Sequence, residues 1–80
     1  MFINKSKDGT NNICGKKIAT LRMSLNISQR VLADRLQLSG LDIDKNAILR
    51  IECGKRFVTV IEILAFSEIF NVSVDELLQW

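Results

Sequence analysis

Residues 43–54 read IDKNAILRIECG, and this stretch contains the signals of one complete short helix. Asp44 is a typical N-cap residue, and Ile43 and Ile48 stand at the spacing of a hydrophobic staple around it. Gly54 provides the left-handed position that commonly ends a helix. The stretch therefore predicts a helix that begins after Asp44 and ends before Gly54.

The same start signal occurs three more times along the chain. Each instance is a hydroxyl residue with an apolar residue before it and another four positions into the helix: Ile27-Ser28 with Leu32, Val58-Thr59 with Ile63, and Val72-Ser73 with Leu77. Glu62 and Glu76 complete two of these as capping boxes. An apolar stripe at helical spacing precedes them, consisting of Cys14, Ile18, Leu21 and Leu25. Asn26 can end that first helix in a left-handed conformation.

These signals predict an all-α fold of five short helices in residues 13–80, preceded by a flexible tail at residues 1–12. A chain of 80 residues allows one domain, and its 48% hydrophobic content is enough for one core. The fourth helix is apolar on nearly all sides. We expect it to lie in the core, and its excess apolar face is alternatively a contact with a second subunit.

Composition excludes several classes of function. The chain has no histidine and two cysteines, so it cannot complete a four-ligand zinc site, and we expect no metal or cofactor. It has no glycine-rich phosphate loop and no recognisable carboxylate pair, which argues against an enzyme. No signal peptide or bilayer-spanning run is present, and the sparse cysteines are typical of a reduced cytoplasmic protein without membrane contact.

The third predicted helix has a distinctive outer face. When Ile48 and Ile51 point inward, the outward positions are Lys45, Asn46, Leu49 and Arg50. Lysine, arginine and asparagine recognise purine edges in the DNA major groove, and an apolar side chain contacts the thymine methyl group. The alternative is an ordinary solvated helix face.

Other residues are candidates for the DNA backbone. The helix start at Ser28 and Gln29 presents backbone N–H groups that suit a phosphate. Lys17 precedes it, and Lys55 and Arg56 follow the third helix, so these cations can flank a duplex. Surface solubility is the alternative role. Basic residues all lie before residue 57, and residues 57–80 contain acids but no base.

Residues 15–78 resemble the Cro/C1-type helix-turn-helix regulators, the xenobiotic-response-element family. The matching segments are GKKI at 15–18, LR at 21–22, ISQ at 27–29, LA at 32–33, IE at 51–52, GKR at 54–56 and VSVDELL at 72–78, together with Ile48 and Arg50. The resemblance implies a five-helix lambda-repressor-like DNA-binding domain. It also implies a homodimer on a palindromic operator, with the third helix in the major groove.

The resemblance assigns roles to individual residues. Gln29 would contact a phosphate and brace the recognition helix, and Lys55 would hold the backbone. Arg22 and Glu52 would form a structural ion pair between the first and third helices. The sequence departs from the family at Gln37–Ile43, because the turn of the helix-turn-helix is extended there. The extra residues would either lengthen the second helix or raise a loop beside the DNA.

Two functions follow from these observations. The first is sequence-specific binding of double-stranded DNA by a transcriptional regulator, most simply a repressor that blocks a promoter. The alternative is a protein-interaction module, in which the fourth and fifth helices bind a protein partner, as an antitoxin does.

Overall fold

Five α-helices and no strand form within residues 14–78, which are the residues that the computed structural model describes. The helices are α1 (Gly15–Ser24), α2 (Gln29–Leu38), α3 (Lys45–Glu52), α4 (Val60–Phe70) and α5 (Val74–Leu77). The predicted all-α, lambda-repressor-like fold is confirmed. The tail predicted at residues 1–12 lies outside the described residues.

All four predicted N-caps form. Each cap side chain accepts a hydrogen bond from a backbone N–H three residues later: Ser28 from Val31, Asp44 from Ala47, Thr59 from Glu62 and Ser73 from Glu76. The capping box at Thr59 is complete, since the Glu62 carboxylate accepts from the Thr59 amide at 3.0 Å. At Ser73 only one half of the predicted box forms, the hydrogen bond from the Glu76 amide to the Ser73 hydroxyl. The Glu76 carboxylate lies 3.7 Å from Lys17 Nζ.

Helices α1 to α4 all end in the same left-handed turn. The residues with positive φ are Asn26 at 58°, Gly40 at 101°, Gly54 at 76° and Asn71 at 54°. After α2, for example, the Gly40 amide donates to the Gln37 carbonyl and the Leu41 amide donates to the Leu36 carbonyl. This pair of bonds satisfies the last carbonyls of the helix. The left-handed positions predicted at Asn26 and Gly54 are confirmed.

The core lies where α3 packs against α1 and α2, α1 and α2 pack against one side of α4, and α4 packs against α5. The fully buried large side chains are Ile18, Leu32, Leu36, Ile48, Ile51, Phe66 and Leu77. We expected α4 to be a core helix, and this is confirmed for the side that carries Phe66 and Phe70, which are buried. It is wrong for the opposite side, which is exposed. Val60 and Ile61 are 72% and 71% exposed, because the described helices cover only one side of α4.

The extended turn is well anchored. Helix α2 runs through Leu38, so part of the extra length becomes helix, and residues 39–44 form the connection. Ile43 is buried, and its carbonyl accepts a 2.8 Å hydrogen bond from Gln37 Nε2. Part of the extra length therefore extends the second helix, which is the first of the two expected outcomes. The hydrogen bond from Gln37 also ties the start of α3 to a side chain of α2.

No helix among residues 14–78 has the length and apolarity needed to cross a bilayer.

Candidate nucleic-acid interface

Helix α3 has one buried side and one exposed side. The buried side consists of Ala47, Ile48 and Ile51, which anchor the helix to the core. The exposed side, here termed the α3 outer face, consists of Lys45, Asn46, Leu49 and Arg50. Leu49 is 44% exposed. The face offers charged donors, an amide and an apolar group, and these are the types that recognise base edges.

A polar network fixes the end of α3 against α1 and α2. Arg22 donates through Nε to Glu52 Oε2 at 2.7 Å and through Nη2 to Oε1 at 3.1 Å. Gln29 Nε2 donates to the same Oε1 at 3.0 Å. Arg22 Nη1 also donates to the Ile27 carbonyl, in the turn before α2. The Arg22 and Glu52 side chains are 15% and 7% exposed, so this network holds three helices in one geometry.

The first turn of α2 lies beside this network. The Val31 amide donates to the Ser28 hydroxyl, so this hydroxyl serves as the helix cap. The backbone N–H groups that follow Ser28 are the groups that can bind an anionic ligand. The Gln29 amide uses one of its protons on Glu52. A side-chain amide carries two protons, and the second one remains available for a phosphate oxygen. The two roles expected of Gln29 are therefore geometrically compatible.

The cations predicted to flank a duplex differ in their surroundings. Lys55 is exposed, and Lys17 lies in an ion pair with Glu76. Arg56 binds Glu62 through two parallel hydrogen bonds of 2.9 Å each. Arg56 is 31% exposed in its side chain, and much of its charge is already neutralised within the protein. The structure thus gives Arg56 a structural partner that the sequence pattern did not indicate.

Glu62 is the site-adjacent residue that the sequence reading missed. It was assigned only to a capping box, and its pairing with Arg56 joins the loop after α3 to the first turn of α4. Burial by itself raises the pKa of Glu62, but hydrogen bonds from Arg56 and Thr59 outweigh burial and leave this pKa below its ordinary value. The carboxylate is therefore charged at neutral pH. No sequence signal reveals this pair, since its two members are joined through an irregular loop.

The lowered pKa of Glu62 predicts a loss of stability in acid. The unfolded state binds the proton more readily, so the stabilisation is complete above the ordinary glutamate pKa of about 4.3 and disappears as pH falls through the lower folded value. We expect Glu62→Gln to lose about 1–3 kcal/mol at pH 7, because two charge-assisted hydrogen bonds weaken. Urea unfolding of both proteins from pH 7 to pH 3 should show this difference shrinking. A difference that stays constant with pH would contradict the prediction.

The two cysteines have different surroundings, since Cys14 is buried and Cys53, which follows α3, is exposed. Burial raises the pKa of the Cys14 thiol to about 11, so this thiol stays protonated at neutral pH. No group of residues within 14–78 has the composition and spacing to hold a metal ion.

Comparisons with known proteins agree with this geometry. A crystal structure of the restriction-modification controller protein C.AhdI from Aeromonas hydrophila matches with a TM-score of 0.68 and 25% sequence identity, over 79% of this chain and 88% of that one. A search of curated protein sequences produced no match. The helix-turn-helix family model HTH_3 matches residues 18–77, which include all five helices except the first three residues of α1. The chain belongs to this Cro/C1-type helix-turn-helix family of DNA-binding transcriptional regulators.

Proposed function

We propose that this regulator inserts α3 into the DNA major groove and reads bases with its outer face. One observation carries the proposal: Asn46, Leu49 and Arg50 are exposed together on a helix whose opposite side is buried and whose end is fixed by the Glu52 network. A rigid support is needed because base contacts depend on geometry, and each good bidentate contact provides roughly 1–3 kcal/mol of discrimination. Lys45, in the first turn of the helix, reaches a base or a flanking phosphate.

Contacts with the DNA backbone supply most of the affinity in this proposal. The backbone N–H groups after Ser28, the second amide proton of Gln29 and the exposed Lys55 form the set beside α3. Lys17 and Arg56 contribute only to the extent that they leave Glu76 and Glu62, with which they pair. Such phosphate contacts orient a protein on the duplex without carrying sequence information.

A homodimer on a palindromic operator is the second part of the proposal. Large apolar side chains are exposed along the uncovered side of α4 and just before it: Phe57, Val60, Ile61 and Leu64. We name this surface the α4 apolar face. Contiguous exposed apolar surfaces of this kind mark interaction sites in soluble domains. Two copies joined here would present two α3 helices to two half-sites.

Repression by promoter occlusion is the simplest regulatory outcome for such a cytoplasmic dimer. The similarity to a restriction-modification controller protein supports a role in control. The alternative function, binding of a different protein through α4 and α5, is favoured by the same α4 apolar face. The two functions differ in what they require of α3, since only DNA reading depends on Asn46 and Arg50.

Selection of bound duplexes from a random DNA pool tests the proposed function. We expect the wild-type protein to enrich a palindromic sequence and Asn46→Ala/Arg50→Ala to lose the enrichment, with about a 10- to 100-fold loss of preference for each base that is no longer read. Arg35→Ala is the matched control, because it removes one exposed arginine from the far end of α2. Failure of the wild-type protein to enrich any sequence at ~100 mM salt, where contacts to phosphates alone become weak, would contradict the proposal. A protein partner of the α4 apolar face would then be sought.

A further inference from the structure

Five of the nine cations in residues 14–78 have intramolecular partners, and these include Lys16 and Lys55. Arg22, Arg56 and Lys17 form ion pairs with Glu52, Glu62 and Glu76. Within residues 14–78, four cations have side chains with neither an ion pair nor a hydrogen bond: Arg30, Arg35, Lys45 and Arg50. All four are exposed, and all lie on α2 or α3. An unpaired cation can neutralise a phosphate without first breaking an existing contact, so the position of each of these four on its helix decides which of them can reach the duplex.

Arg30 and Arg35 lie on opposite flanks of α2. Gln29 and Gln37 mark the flank that faces α3, because their side chains donate to Glu52 at the end of α3 and to Ile43 just before its start. At about 100° per residue, Gln29 and Gln37 lie about 80° apart, and the direction midway between them lies about 60° from Arg30 and about 160° from Arg35. Arg30 is therefore on the α3 side of α2, and Arg35 is on the other side.

The position of Arg30 matches a phosphate strand rather than a base. The hydrogen bond from Gln29 to Glu52 places the first turn of α2 directly beside α3. Axes of packed helices lie roughly 8–10 Å apart, and the major groove is roughly 12 Å wide. With α3 in the groove, a helix at that lateral distance stands above one edge of the groove, where the phosphates run. Arg30 is in the second helical position of α2 and is exposed.

We infer that Arg30 is a phosphate-binding residue of this regulator and takes the place that the sequence reading gave to Arg56. The inference rests on the proposed insertion of α3. It goes beyond that proposal by assigning a contact to a residue that neither motif nor family resemblance singled out. Arg56, held by Glu62, then positions the loop between α3 and α4 and contributes little direct neutralisation.

Salt-dependent binding separates these roles. The probe is a fixed 30-base-pair duplex of mixed sequence, because phosphate contacts are made with any sequence and no operator is needed. For every phosphate contact, the slope of log K against log salt changes by about 0.9. We expect Arg30→Gln to lower the magnitude of the slope by about 0.9 for each bound protomer. The same relation predicts a loss of affinity of about eightfold per protomer near 0.1 M salt.

Arg35→Gln is the matched control, since it removes the same charge from the same helix. It should leave the slope nearly unchanged, and Arg30→Lys should restore most of the wild-type slope. Thermal unfolding of each variant verifies that the fold is retained. Equal effects of Arg30→Gln and Arg35→Gln, or no effect of Arg30→Gln, would overturn the inference. A failure of the proposed base reading would be a different result. The protein would then enrich no sequence from a random pool but would still bind the mixed duplex.

Discussion

Replacing Arg22 by methionine is expected to lower the free energy of unfolding by about 3–5 kcal/mol. Methionine preserves much of the apolar volume of the arginine stem but cannot donate the bonds that Glu52 receives at 2.7 Å and 3.1 Å. Glu52 is 7% exposed, so its charge would stay buried with Gln29 as its remaining side-chain donor. A decrease of this size is a large fraction of the total free energy of unfolding of a domain of 80 residues. Urea unfolding at pH 7 measures the change.

The double variant Arg22→Met/Glu52→Leu provides the control. Removing both charges leaves no stranded carboxylate, and well-packed apolar replacements of a buried pair are often neutral or stabilising. We therefore expect the double variant to be more stable than Arg22→Met alone. Gln29 is only partly buried, and its amide can be hydrated when Glu52 is absent. A double variant as unstable as the sum of its two single variants would show that packing, rather than the buried charge, dominates.

Ile61→Glu is expected to convert the proposed dimer into a monomer and to reduce affinity for a palindromic duplex by about 10²- to 10⁴-fold. The magnitude is the avidity gained when a second half-site is bound by an already tethered copy. Ile61 is 71% exposed in the single chain, so the substitution should change the stability of the protomer by no more than about 0.5 kcal/mol. In the dimer, however, the carboxylate introduced by Ile61→Glu would have to lose its hydration within the α4 apolar face, and this cost disfavours association.

Sedimentation velocity and titration with full and half-site duplexes measure the two effects. Leu38→Glu is the matched control, because Leu38 is 89% exposed but belongs to α2 rather than to the α4 apolar face. The control should remain dimeric. Affinity of Ile61→Glu for a half-site should stay close to that of the wild-type protein. A dimer that survives Ile61→Glu would place the subunit contact elsewhere on the surface.

Short-range signals account for the accuracy of the helix predictions. A cap such as Asp44 acts on an amide three residues away, and a left-handed residue such as Gly54 acts on carbonyls within the last helical turn. The interactions that begin and end each helix therefore lie within a few residues of one another in the chain. The two faces of α3 could be predicted for the same reason, since helical periodicity alone separates Ile48 and Ile51 from Asn46.

Long-range packing explains what the pattern did not reveal. Helix α4 is apolar around most of its circumference, and no local feature distinguishes the side of Phe66, which is buried, from the side of Ile61, which is exposed. The Arg56–Glu62 pair likewise depends on the path of the loop between α3 and α4. A count of basic residues treated Arg56 as an available charge, although the fold neutralises it.

The amino-acid sequence by itself thus determined the number of helices, the N-caps of α2 to α5, the left-handed ends of α1 and α3, and the outer face of α3, because each of these depends on neighbours within about one or two helical turns. The tertiary structure alone decided which cations are unpaired, which side of α4 is exposed, and that Arg30 rather than Arg35 lies on the α3 side of α2. These properties depend on how helices distant in the chain are placed against one another. Glu52 illustrates the difference: its helix was evident from local signals, but its simultaneous contacts with Arg22 and Gln29 exist only because α1, α2 and α3 meet at one point.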